Sequence, residues 1–273
     1  MSDMQALIDL SCRLAIQAGE EIVAVQQAGF SIDEKADGSP VTIADQRAEA
    51  LILKGLKDAG ITLPVVAEEQ MAAGTTPVLT DGPYLCIDPL DGTKEFSRGG
   101  TDFTVNIGCI ENGEPLWGVI FIPATRLLYW GVCKATGGAK QSAVRVLVEE
   151  SGAYSARTTL TCTAPPADLR IVATKSHMTE ETRTFLERFE GADIVSVGSS
   201  LKFTRLAEGA ADLYPRFGPT MEWDTSAGDA ILRAAGGMTY GPDGAPFAYQ
   251  KPDFRNGHFI ASASLPVTDD MWP

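Results

Sequence analysis

The chain has little imidazole. His177 and His258 are its only two histidines, and its five cysteines (Cys12, Cys86, Cys109, Cys133, Cys162) include no Cys-x-x-Cys pair. These scarcities argue against a zinc centre, which draws on thiolate and imidazole. An odd, widely spaced set also argues against a disulfide framework and fits a reduced, cytoplasmic chain with buried thiols. Basic residues are few as well: 22 Lys and Arg against 36 Asp and Glu leave a net charge of −14. A nucleic-acid polymer is therefore an unfavourable partner. A small phosphorylated ligand stays compatible, because bound cations reverse the local field. The longest apolar run, Leu116 to Ile122, falls well short of the ~20 residues that cross a bilayer. The polar N-terminus gives no sign of a signal peptide. Loose peripheral association with a membrane stays open.

The 273 residues are enough for one large domain or two modest ones, with an adequate core either way. Ser2 to Gln5 reads as a capping box, and Leu7, Leu10, Leu14, Ala18, Ile22 and Val25 then recur at helical spacing. Thr42 opens a second helix, with Gly60 as its stop. From Phe103 the pattern changes to period two, and Asn112-Gly113 marks a hairpin turn between antiparallel strands. Residues 138 to 168 are rich in Ser, Thr and Ala, with a break at Ala164-Pro165-Pro166-Ala167. A loose boundary is placed there, giving an N-terminal α+β domain (1–164) and a C-terminal α/β domain (165–273) in which strands and helices alternate.

The acidic residues fall into clusters at the ends of these elements. Leu85-Cys86-Ile87 leads into Asp88-Pro89-Leu90-Asp91-Gly92-Thr93, two carboxylates three residues apart followed by a hydroxyl. Val65-Val66-Ala67 leads into Glu68-Glu69, Asp45 and Glu49 share a helix face, and Trp223-Asp224 precedes another helical pattern. Carboxylates collected in this way suit a hard, oxygen-seeking cation such as Mg²⁺. Each cluster also has a plainer reading. Asp-Pro-Leu-Asp-Gly is good turn chemistry, Asp224 could be an ordinary helix cap, and Glu49 most simply serves structure. Farther along, Ser199, Ser200 and Lys202 beside Gly198, Arg216, and His177 at a strand end could grip a phosphate or ribose, or could be ordinary surface groups. Trp223 and Phe217 read as core rather than as base-stacking platforms.

The order Asp45-x-x-x-Glu49, Glu68-Glu69, Asp88-Pro-Leu-Asp-Gly-Thr93 and Trp223-Asp224 resembles the inositol monophosphatase superfamily of Mg²⁺-dependent phosphatases. Thr93-Lys94-Glu95-Phe96 resembles its bacterial 3′(2′),5′-bisphosphate nucleotidase branch, as do residues 198–203 and 213–220; inositol monophosphatases usually carry Asn at the position of Glu95. The likeness spans residues 5 to 261. It implies an αβαβα layered sandwich, antiparallel in its first half and mixed in its second, and two or three Mg²⁺ ions. Glu68, Asp88 and the Leu90 carbonyl would hold the first ion, and Asp88, Asp91 and Asp224 the second. Asp45 and Thr93 would orient and deprotonate the attacking water. Glu68, Leu90, Asp91, Gly92, Thr93 and Asp224 would meet the scissile phosphate, while His177, Ser199, Ser200, Lys202 and Arg216 would meet the rest of the substrate. Glu49 would stand behind the ligands, and Glu69 would either do the same or help to hold a third ion. The resemblance further implies lithium sensitivity, hydrolysis of adenosine 3′,5′-bisphosphate to AMP, and a monomer or homodimer. Alternatives are an inositol or sugar-phosphate phosphatase on the same scaffold and, remotely, a silent binding protein.

Overall fold

The computed structural model describes residues 4–34, 40–134, 139–166, 168–174 and 178–273. Ser2 and Asp3 of the expected capping box, Ala167, and the Lys175-Ser176-His177 segment lie outside them. Helix α1 (Met4–Ala28) buries the stripe that includes Leu7, Ile8, Leu14, Ala18, Ile22 and Val25. A short hairpin, β1 (Ile32–Glu34) with β2 (Pro40–Thr42), leads into α2 (Ile43–Asp58). The Thr42 hydroxyl accepts the Ala44 N–H at 3.1 Å, and Asp45 Oδ2 accepts the Thr42 N–H at 2.7 Å, so both ends of the capping box are closed.

Next come β3 (Val65–Ala67), α3 (Glu68–Ala72), β4 (Tyr84–Asp91), α4 (Thr93–Ser97), β5 (Thr104–Glu111), β6 (Glu114–Ile122), β7 (Leu127–Val132), β8 (Ser142–Leu147) and β9 (Thr158–Thr159). The strands β3 to β9 lie in that order in one seven-stranded sheet, antiparallel except for the β3–β4 pair. Asn112 (φ 53°) and Gly113 (φ 74°) make the expected tight turn, since a two-residue hairpin of this hand needs left-handed backbone at both positions. Two local readings are corrected. The paired carboxylates expected at the end of the Val65–Ala67 strand belong to the next element, because β3 stops at Ala67 and Glu68 and Glu69 open α3. The stretch after residue 138 is not merely a linker: Ala143, Val144 and Val146 are buried in β8, an alternation diluted by Ser, Thr and Ala around it.

The second half runs β10 (Arg170–Thr174), α5 (Glu180–Glu187), β11 (Asp193–Val197), α6 (Leu201–Ala207), β12 (Leu213–Arg216), β13 (Thr220–Met221), α7 (Glu222–Ala234), β14 (Met238–Tyr240), β15 (Arg255–Asn256) and β16 (Phe259–Ser262). Five of these strands form a mixed sheet in the order β11-β10-β12-β16-β14, with parallel pairs only around β10. The result is the expected αβαβα sandwich. One core lies between α1, α2 and the first sheet, a second joins the two sheets through α6 and α7, and a third lies beneath α5. Residues 164 and 165 fall between the two sheets, but the second core draws side chains from both halves.

Helix α7 lies unusually close to the first sheet. Gly108, Gly118 and Gly131 are cross-strand partners on β5, β6 and β7. A Cβ on Gly118 would stand 2.3 Å from the Ala227 carbonyl oxygen, and one on Gly131 would stand 2.6 Å from Ile231 Cα. Only hydrogen fits beneath the helix at these points. The close approach delivers the first turn of α7 to the C-terminal end of β4. No helix among the described residues is long and apolar enough to cross a membrane.

Candidate active site

Residues three apart on a regular strand face opposite sides, so Asp88 and Asp91 need a break in the strand to act together. The β4–β5 register supplies it: Asp88 pairs with Asn106 and Asp91 with Thr104, three steps against two. Pro89 sits in this bulge, where its missing N–H costs no ladder bond. Gly92 (φ 96°) then turns the chain into α4, and a Cβ there would lie 2.6 Å from the Asp102 carbonyl oxygen. Both carboxylates, the Leu90 carbonyl, Gly92 and Thr93 consequently line one cavity of about 220 Å³, together with Glu68 and Asp224.

Three aspartates line this cavity, Asp88, Asp91 and Asp224, and Asp45 stands behind Thr93; each is fixed by hydrogen bonds to its carboxylate. Asp45 Oδ2 accepts the Thr42 N–H and hydroxyl, at 2.7 and 2.8 Å, while Oδ1 accepts the Thr93 hydroxyl at 3.0 Å. Asp88 Oδ1 accepts the Leu90 N–H at 3.0 Å. Asp224 is the third residue of α7 rather than its cap, and its Oδ2 accepts the Met221 N–H at 2.8 Å. Asp91 Oδ2 takes the Ser200 N–H at 2.6 Å and the Ser199 and Ser200 hydroxyls at 2.9 and 2.8 Å. Burial pushes the carboxyls of Asp88 and Asp224 well up, and repulsion adds to it, chiefly from Glu68 on Asp88 and from Asp91 on Asp224. Burial also raises Asp45, against the hydrogen bonds from Thr42. Glu49 accepts the N–H groups of Glu69 and Gln70 at 2.7 and 3.0 Å, which fixes the start of α3 and makes its place structural. Burial carries its carboxyl to about 7.

The opposite wall is cationic. Lys202, 5% exposed, stands 5.2 Å from the Tyr214 ring and donates to the carbonyls of Val197 and Ser199 at 3.3 and 2.5 Å. Burial lowers its ammonium to about 8. Arg216 is held to the Pro219 carbonyl through Nη2 at 2.8 Å, while its buried Nε has no hydrogen-bond partner. Ser199, Ser200, Lys202 and Arg216 all line the cavity, as expected, but the two serine hydroxyls and Lys202 already have protein partners. Trp223 and Phe217 are buried in core. His177 lies outside the described residues. Sequence reasoning missed Asn106, whose Nδ2 donates to Ser200 Oγ at 2.9 Å and approaches Asp91 Oδ2 at 3.4 Å. An amide in the middle of an apolar strand was the available signal.

Among the described residues, no group of three or more His, Cys, Asp or Glu side chains is drawn together into a finished ion-holding cluster. The donors themselves suit a hard divalent cation. Glu68, Asp88, Asp91, Asp224 and the Leu90 carbonyl offer oxygen only, and the Glu68 and Asp88 carboxyls lie within hydrogen-bonding reach of each other. Two carboxylates at that separation must share a proton or a cation.

The whole architecture has known relatives. The inositol monophosphatase family matches residues 3–267. The chain belongs to that family. Inositol monophosphatase family members are metal-dependent phosphatases, generally using Mg²⁺. Two curated members of the family are named 3′(2′),5′-bisphosphate nucleotidase CysQ: one from Shigella flexneri, 37% identical, and one from Escherichia coli K12, 36% identical. In both cases the similarity covers 94% of this chain and 99% of the relative. Among solved members of the family, CysQ from Bacteroides thetaiotaomicron superimposes with a TM-score of 0.76 at 33% identity, over 96% of this chain and 97% of its own.

Proposed function

We propose that the chain is a Mg²⁺-dependent 3′(2′),5′-bisphosphate nucleotidase that converts adenosine 3′,5′-bisphosphate to AMP and phosphate. The observation that carries this reading is the polarity of one cavity. Acids and a carboxylate-bound hydroxyl occupy one end, and a buried arginine with an unpartnered N–H occupies the other. The names of the CysQ relatives support the same substrate.

Glu68, Asp88, Leu90, Asp91 and Asp224 would hold two or three Mg²⁺ ions. Such ions acidify water and neutralise phosphoryl charge. The protein's own part begins at Thr93. Its hydroxyl donates towards Asp45 Oδ1 at 3.0 Å and Leu90 O at 3.1 Å, so its lone pairs are free to accept from a water in the cavity. A proton leaving that water can be taken at Thr93 Oγ1 while the threonine's own proton passes to Asp45 Oδ1. Burial raises Asp45, which makes it the better acceptor. The scissile phosphate would lie over Gly92 and Thr93 at the start of α4. The second phosphate would face Arg216, whose guanidinium matches phosphate geometry.

The test is a phosphate-release assay across a small panel. Adenosine 3′,5′-bisphosphate should exceed inositol 1-phosphate in kcat/KM, the quantity that measures discrimination. Equal or better turnover of inositol 1-phosphate would move the assignment to a sugar-phosphate phosphatase on the same fold.

A further inference from the structure

The turn between β11 and α6 is bound to Asp91 more tightly than a turn that only lines a cavity needs to be. Ser199 adopts φ 54°, left-handed backbone that a non-glycine residue holds only when its surroundings over-determine it. Those surroundings are specific. The Ser199 hydroxyl is shared between Asp91 Oδ2 at 2.9 Å and Thr104 Oγ1 at 2.7 Å. The Ser200 hydroxyl lies 2.8 Å from both Asp91 Oδ2 and the Asp224 carbonyl, and the Ser200 N–H reaches Asp91 Oδ2 at 2.6 Å. Lys202 ties the carbonyl side of the same turn. Every hydrogen bond to Asp91 falls on Oδ2, and Oδ1 has none among the described residues.

We propose that Ser199 and Ser200 are positioning residues for Asp91, holding Oδ2 so that Oδ1 is presented to a divalent cation. This rests on the reading of Asp91 as a cation ligand. The serines belong to the β11–α6 connection and Asp91 to β4, so the turn also ties the second sheet to the acid end of the cavity. Orientation matters here because a carboxylate free to rotate must be ordered when the ion binds. Partners that pre-order metal ligands typically contribute ~10–100-fold in affinity.

The experiment is titration of the apo-protein with Mn²⁺ alone, read by electron paramagnetic resonance, with folding checked by circular dichroism. Ser200→Ala should weaken Mn²⁺ binding by ~10–100-fold. Ser199→Gly removes one hydroxyl while relieving the left-handed strain, so it should stay folded and also bind more weakly. Asp91→Asn should weaken binding by itself, and adding Ser200→Ala to it should cost nothing more, because the serine acts through that carboxylate. Folded serine variants that bind Mn²⁺ like wild type, beside a weakened Asp91→Asn, would overturn the proposal alone. So would a Ser200→Ala loss that persists in full on the Asp91→Asn background, which would mean general loosening. If Ser200→Ala fails to fold, Ser199→Gly decides. Undiminished binding by Asp91→Asn would remove the reading of Asp91 on which the proposal stands.

Discussion

The acid end and the cationic end of the cavity are held in place by different means. At the acid end three of the four aspartates have a fixing partner in their own neighbourhood: Asp45 in Thr42, Asp88 in Leu90 and Asp224 in Met221, none more than three residues away. At the cationic end the groups come from α6 and β12, and the turn that carries Ser199 and Ser200 meets Asp91 more than a hundred residues distant in sequence. Local fixation makes the acid end a rigid, prepaid arrangement suited to chemistry. Long-range fixation makes the other end depend on the packing of the whole sandwich, which suits selection among substrates. In the proposed enzyme, damage at the first end should appear in kcat and damage at the second in discrimination.

The largest effect should come from the acid end. Asp45→Asn keeps the shape but loses the base, so kcat should fall by ~10²–10⁴-fold with KM little changed. Steady-state kinetics with adenosine 3′,5′-bisphosphate decides this, and a raised KM at unchanged kcat would put Asp45 in binding instead. Arg216→Met should cost ~10–100-fold in kcat/KM for the bisphosphate, the scale of a charge-assisted hydrogen bond lost from a buried site. Turnover of a nucleoside 3′-monophosphate should hardly change. Equal losses on both substrates would erase the division between the two ends.

A smaller effect should come from the joint between them. Gly118→Ala places a methyl group against the backbone of α7, and overpacking of this kind costs ~1–3 kcal/mol. Urea unfolding should register that loss, and the displaced helix should weaken cation binding through Asp224. The smallest effect is one of pH. Folded Glu49 titrates near 7, above the ordinary glutamate range, so its stabilising contribution is complete below the unfolded value and is lost as pH rises through about 7. Metal-free protein should therefore lose stability as pH rises from about 4.5 to about 7, with the loss levelling off above that. The decline should be shallower in Glu49→Gln, and identical slopes would contradict the account.

How much of this was legible in the sequence follows the same division. Thr42, Asp45, Asn112-Gly113 and Asp88 to Thr93 could be read because each carries its own reason within a few residues, as cap, turn or strand end. The layered sandwich and the resemblance to the family rested on those signals. The bulge at Pro89 was hidden, since its effect depends on the register against β5. The partners of Ser199, Ser200 and Lys202 were hidden too. A serine reads as a ready hydroxyl until the fold brings Asp91 to it. Asn106 was missed because its chain neighbours give it no task. The glycines beneath α7 showed as three separate residues and became one feature only through the pairing of β5, β6 and β7.

The central claim is that Thr93 and Asp45 act as one unit on the attacking water, and a double-mutant comparison of kcat tests it most directly. Thr93→Ala and Asp45→Asn should each lose ~10²–10⁴-fold, and the double variant should be only slightly worse than the poorer single. Thr93→Ser, which keeps the hydroxyl bonded to Asp45, should be the most active of the set. Losses that multiply in the double variant, or a Thr93→Ala enzyme near wild-type kcat, would contradict the account and leave Thr93 as nothing more than the first residue of α4.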